Sequence, residues 1–116
     1  MRITLYGIPN CDTVKKARTW LAEHGHEAVF HDFKKQGLER ATAAAWLAQV
    51  DWEVLVNKKG TTWRGLPEAR QAAVVDATSA LELMLETTSV IKRPVLDCDG
   101  RITVGFKDAQ YAALFV

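Results

Sequence analysis

Apolar and polar positions along the chain change period several times, and each change marks an element. Ile3 to Tyr6 is rich in β-branched and aromatic residues and is cut off by Gly7 and Pro9, which predicts a first strand. From about Cys11 to Glu23 the apolar residues Val14, Ala17 and Leu21 recur at helical spacing and make one face. Asn10 is the expected N-cap, Asp12 falls in the first turn where the helix dipole favours an anion, and Gly25 marks the stop. Ala28 to Phe33 reads as a second strand, with Val29 and His31 alternating against Phe30 and Asp32. Such a β-α-β opening predicts a parallel pair with a right-handed crossover.

The pattern then turns helical from Leu38 to Thr87. Helices are expected around Ala41–Leu47, from Pro67 to Val75 and from Ser79 to Glu86, with Pro67 in a first turn and Leu81, Met84 and Leu85 forming an apolar stripe. Between them Asn57 to Gly65 reads as a glycine-punctuated loop too polar to be core. Strands return at Val95–Cys98 and Arg101–Val104, flanking Asp99-Gly100, the strongest short hairpin signal. A helix from about Lys107 to Leu114 closes the chain. The expected organisation is one α/β domain over residues 1–116, ordered β-α-β … β-β-α, with a helical insertion over 38–87.

Composition narrows the function. The length of 116 residues suits one domain that buries roughly 65% of its unfolded surface, so neither a disulfide nor a metal is needed for folding. The net charge of +1 argues against nucleic-acid binding by bulk electrostatics. No apolar run reaches the length of a membrane span, and Gly7-Ile8-Pro9 interrupts the first apolar stretch before a signal peptide could form. A cytoplasmic location is therefore expected, with no membrane partner and with Cys11 and Cys98 both free thiols. Oligomeric state leaves no mark in the pattern.

Cys11 stands out because it follows a strand and a Gly/Pro turn and opens a helix. Free amides and the positive dipole end at a helix start stabilise a thiolate, and Lys15 and Lys16 one turn on add to the effect. Three residues on from Cys11 is Val14, so there is no Cys-x-x-Cys switch and a second thiol must come from elsewhere. Cys98, in a strand, reads as an inert core thiol. His24, His26 and His31 lack metal-ligand spacing, and no metal is expected. Trp20, Trp46 and Trp52 read as packing residues. Trp63, beside Lys58, Lys59 and Arg64, is either part of a binding surface or of a solvated basic loop, and the loop reading is preferred. Pro94 reads on pattern alone as an edge proline at a strand start rather than a cis turn.

Three separated stretches, Tyr6–Ala17, Asn57–Arg64 and Ile91–Val95, resemble the arsenate reductase-like (ArsC/Spx) family, most of all its YffB-type subgroup. The resemblance spans nearly the whole chain. It implies a thioredoxin-like fold with a helical insertion, a cis Pro94 facing Cys11, and Cys11 as the catalytic cysteine. Family arsenate reductases hold the oxyanion with three arginines. Of these only Arg93 has a counterpart here: Asn57 stands at the second place, the third falls near Gly105 with Lys107 close by, and Gly7 replaces a histidine upstream of the cysteine. Each lost charge-assisted contact is worth about 1.5–3 kcal/mol, so arsenate is not expected as the main substrate. The Spx regulators use a Cys-x-x-Cys switch, which Val14 removes. What the resemblance leaves is a glutathione-dependent thiol-disulfide oxidoreductase, with glutathione as co-substrate and glutaredoxin as a further candidate partner. A regulator that docks on RNA polymerase or another protein is the alternative, and residual arsenate reduction a third reading. The expected substrate-binding residues are Asn10, Asp12, Lys15, Asn57, Arg93, Pro94 and Lys107.

Overall fold

Ile3, Leu5 and Gly7 are buried while Thr4 and Tyr6 are half-buried, the period of two that a strand with one covered face requires. This strand, β1 (Ile3–Gly7), begins the computed structural model, which describes residues 1–115. It is followed by α1 (Asp12–Glu23), β2 (Val29–Asp32), α2 (Phe33–Gln36), α3 (Arg40–Gln49) and α4 (Trp52–Leu55). Then come α5 (Thr61–Arg64), α6 (Glu68–Ala72) and α7 (Ala77–Glu86), and finally β3 (Val95–Cys98), β4 (Arg101–Val104) and α8 (Asp108–Leu114). The chain divides into two compact units, one of residues 1–36 with 93 onward, the other of Gly37–Lys92.

The first unit is built on a four-stranded sheet in the order β2-β1-β3-β4. β1 and β2 are parallel, as the β-α-β pattern requires, and β1 pairs antiparallel with β3 in the register Tyr6↔Val95 and Ile3↔Cys98. β3 and β4 form the expected hairpin, with both turn residues left-handed (Asp99 φ 52°, Gly100 φ 89°), the requirement of a two-residue turn that follows the strand twist. The core joins Ile3, Leu5 and Leu96 of the sheet to Val14, Ala17, Trp20 and Leu21 of α1 and to Tyr111 of α8. Val14, Ala17 and Leu21 are the stripe read from the sequence, and Trp20 joins them.

α1 approaches β1 closely at one point. A Cβ built on Gly7 would lie 2.7 Å from Cγ2 of Val14, so only glycine lets the buried Val14 seat there. Sheet pairing places Asp32 beside Gly7 on the same face, and Phe30 beside Leu5.

In the second unit Trp46 and Ala43 of α3 and Ala80, Leu83 and Met84 of α7 are buried, and Arg40 forms a two-pronged ion pair with Glu82 at 2.7 and 3.2 Å. Two expectations change here. The stripe on α7 runs through Ala80, Leu83 and Met84, with Leu81 and Leu85 only half-buried. The segment read as a polar loop contains α5, which buries Trp63 to 9% exposure. Lys58 packs its ammonium 4.8 Å from the Trp52 ring and 5.7 Å from the Trp63 ring while meeting Glu53 at 3.5 Å, so the basic stretch is tied to its own unit. Pro67 is the N-cap of α6 rather than a first-turn residue, and α6 ends at Ala72, short of Val75.

Candidate active site

The register fixes which chain segments meet at each end of the sheet. Tyr6 opposite Val95 and Val95 opposite Val104 bring the end of β1, the start of β3 and the end of β4 together, and Gly7↔Asp32 adds the end of β2. Cys11, Arg93–Pro94 and Gly105–Lys107 all leave the sheet at this one end. The Arg93–Pro94 peptide is cis, as the resemblance implies, which replaces the edge-proline reading. The Pro94 carbonyl accepts the Gly105 N–H at 2.8 Å, fastening the segment before β3 to the one after β4.

The helix starts one residue later than expected, which moves the thiol from its first turn to its cap. Cys11, not Asn10, is the N-cap of α1, with extended backbone (φ −143°, ψ 122°) and its carbonyl accepting the Lys15 N–H at 2.9 Å. No side chain caps this helix. The amides of the first turn are thus unclaimed by protein, and an N-cap side chain is the group placed to accept from them. Cys11 is half-buried against the core formed by α1, the sheet and α8.

The other sequence-derived residues divide by unit. Asn10, Asp12 and Lys15 surround the start of α1, and Arg93, buried Pro94 and Lys107, the N-cap of α8, belong to the same unit and the same end of the sheet. Among the described residues, the side chains of Asn10, Asp12, Lys15, Arg93 and Lys107 make no hydrogen bond or ion pair, and the Arg93 main chain makes no hydrogen bond either. Asn57 lies in the second unit, where its N–H donates to the Val90 carbonyl at 2.8 Å and its carbonyl accepts from Gly60 at 3.1 Å.

Two residues at this end escaped the sequence reading. Asp32 is the buried charged residue of the described chain, 8% exposed, with its carboxylate accepting the Lys34 N–H at 2.9 Å. Its signal was an aspartate ending a strand ahead of a short helix, the placement of an N-cap. Asp108 opens α8 and lines, with Phe106, a groove against α1 of about 340 Å³. Cys98, by contrast, is opposite Ile3 at the far end of the sheet. Burial, then the charges of Asp99 and Asp97, push its thiol up.

Known proteins resemble this chain over nearly its whole length. The ArsC family model matches residues 6–114. An arsenate reductase (ArsC) related protein from Brucella melitensis is 56% identical, with TM-score 0.77 over 99% of this chain and 95% of its own. The YFFB (PA3664) protein is 49% identical, with TM-score 0.93 over 98% and 99%. The global transcriptional regulator Spx of Lactococcus lactis subsp. cremoris is 25% identical over 120 residues, covering 96% of this chain and 84% of the regulator.

Proposed function

This chain belongs to the ArsC family, and we propose that within it the protein is a glutathione-dependent thiol-disulfide oxidoreductase with Cys11 as nucleophile. The observation that carries the reading is the pairing of Cys11 at an uncapped helix start with the uncommitted main chain of Arg93 at the same end of the sheet. An extended peptide can pair with such a main chain as a short added strand.

The Cys11 thiolate attacks the glutathione sulfur of a mixed disulfide. A Cys11–glutathione bond forms, the old S–S bond breaks, and the substrate sulfur leaves as a thiolate that takes a proton from solvent. A second glutathione thiolate attacks the new bond, departs as glutathione disulfide and restores Cys11. The net change reduces the substrate sulfur and joins two glutathiones. Arg93 holds a carboxylate or the developing negative charge, as a planar fork suited to such groups. Asp12, beside the nucleophile, disfavours a compact oxyanion such as arsenate.

Mass spectrometry of the protein after exposure to oxidised glutathione tests the reading: an adduct on Cys11, together with turnover of a glutathione mixed disulfide, is expected. Failure of both would reject it. The likeness to Spx over nearly the whole chain favours a second reading, a non-enzymatic protein that docks on RNA polymerase or another partner. Stoichiometric capture of a partner by protein that shows no turnover would favour it.

A further inference from the structure

We propose that the groove between α1 and the Phe106–Asp108 segment receives the γ-glutamyl end of glutathione attached at Cys11; this rests on the thiol-reductase reading. The groove holds about 340 Å³, at the small end of ligand sites, and is lined by Lys15, Lys16, Trp20 and Glu23 of α1 with Phe106 and Asp108. All of these belong to the unit that carries Cys11.

Charge decides which end of the tripeptide fits. The glycyl end offers a carboxylate alone, whereas the γ-glutamyl end offers an ammonium and a carboxylate on one carbon. The groove presents both signs: Lys15 and Lys16 on one wall, Asp108 on the other. None of the three makes an ion pair or side-chain hydrogen bond with another described residue, so all remain available to a ligand. Phe106 supplies apolar surface for the methylenes between.

Reach agrees with charge. At about 1.5 Å of rise per residue, Lys15 and Lys16 lie ~6 and ~7.5 Å along the helix from Cys11, and Glu23 lies ~18 Å away. Seven bonds separate the glutathione sulfur from its γ-glutamyl α-carbon, an extended span of about 8–9 Å. That span covers Lys15 and Lys16, whose groove Asp108 lines from the other side, but not Glu23. The α-carboxylate accepts from Lys15 or Lys16, and the ammonium donates to Asp108.

The test compares two disulfides with the same atoms and net charge, oxidised glutathione and its α-glutamyl isomer, by the rate at which each forms an adduct on Cys11. In the wild type, oxidised glutathione is expected to react about fivefold faster, the scale of one partly exposed ion pair. Asp108→Asn should bring the ratio close to one, Lys16→Ala should lower it independently, and Glu23→Gln should keep it. Equal rates in the wild type, or a ratio that survives both Asp108→Asn and Lys16→Ala, would overturn the groove assignment while leaving the reductase reading standing. No adduct from either disulfide would overturn both.

Discussion

The two ends of the sheet surround a cysteine with different neighbours. Cys11 and Cys98 are both half-buried and both pack against the same core. At the Cys11 end the chain leaves the sheet into a helix start, and Lys15, Lys16, Arg93 and Lys107 belong to the same unit as Asp12 with no ion pair among these described residues. At the Cys98 end the chain turns back on itself, and the tight turn places Asp97 and Asp99 on either side of the thiol. The Asp97 carboxylate accepts the Gly100 N–H at 2.7 Å and the Asp99 carboxylate accepts the Arg2 N–H at 2.7 Å, so both carboxylates are held there for the turn. At similar exposure the two thiols thus meet different surroundings: burial, then the Asp99 and Asp97 charges, push the Cys98 thiol up, while Cys11 lies at a helix start. The register also separates the two: Ile3 to Gly7 spans ~13 Å of strand, well beyond the ~7 Å Cα limit of a disulfide.

The sharpest way to break this contrast is to remove each sulfur in turn. Cys11→Ser should lower glutathione-dependent turnover by roughly 100-fold or more, because a hydroxyl without a base is a poor nucleophile. Cys98→Ser should leave turnover close to wild type. Comparable losses from both, measured as kcat/KM, would erase the distinction. Next in size is the anion fork. Arg93→Ala should cost about 1.5–3 kcal/mol in kcat/KM, the usual cost of a charged hydrogen bond, and Lys107→Ala much less. Equal effects would mean that the substrate does not lie across Pro94.

The two ends also rest on glycine for different reasons. Gly7→Ala forces a methyl to 2.7 Å from the buried Val14, and overpacking of this kind costs about 1–3 kcal/mol. Urea denaturation should show the loss, and Val14→Ala in the same chain should recover part of it, since the pair is in contact. Gly100→Ala meets nothing within 4 Å and loses only about 1 kcal/mol, the cost of its left-handed backbone. A Gly7→Ala loss that Val14→Ala fails to relieve would show that the contact is not the cause.

How legible each region was follows from how local its determinants are. The β3–β4 hairpin is bounded as the sequence indicates, because Asp99-Gly100 states its turn within two residues. α1 and its buried stripe follow from period alone, apart from the one-residue shift from Asn10 to Cys11 at the cap. α4 and α5, of four residues each, hold less than two turns and leave no period to read. Trp63 was misplaced for this reason, with one buried aromatic among polar neighbours. Within the site, Cys11 and Arg93 could be found from position and resemblance. Asp32 offered only its N-cap placement, its pairing with Gly7 being a matter of strand register, and Asp108 offered nothing, since the approach of α8 to α1 lies outside any short window of sequence.

The smallest expected effect tests the field around Cys98 directly. Burial comes first among the causes that raise this thiol, and the Asp99 and Asp97 charges come next, with Arg101 opposing them. A raised thiol stays protonated at mildly alkaline pH, so its alkylation is slow there and accelerates only as pH rises further. Asp99→Asn removes one charge with little else disturbed: asparagine tolerates the left-handed conformation at φ 52°, and its side-chain oxygen can still accept from the Arg2 N–H. At pH 8 and low salt the variant's Cys98 should alkylate about two- to threefold faster, the scale of a single exposed charge, while Cys11 should react as before. The gain should shrink in high salt, because screening already removes what the substitution removes. A Cys98 rate that ignores both the substitution and the salt would assign its inertness to burial alone, and the contrast between the two ends of the sheet would then be one of access rather than of field.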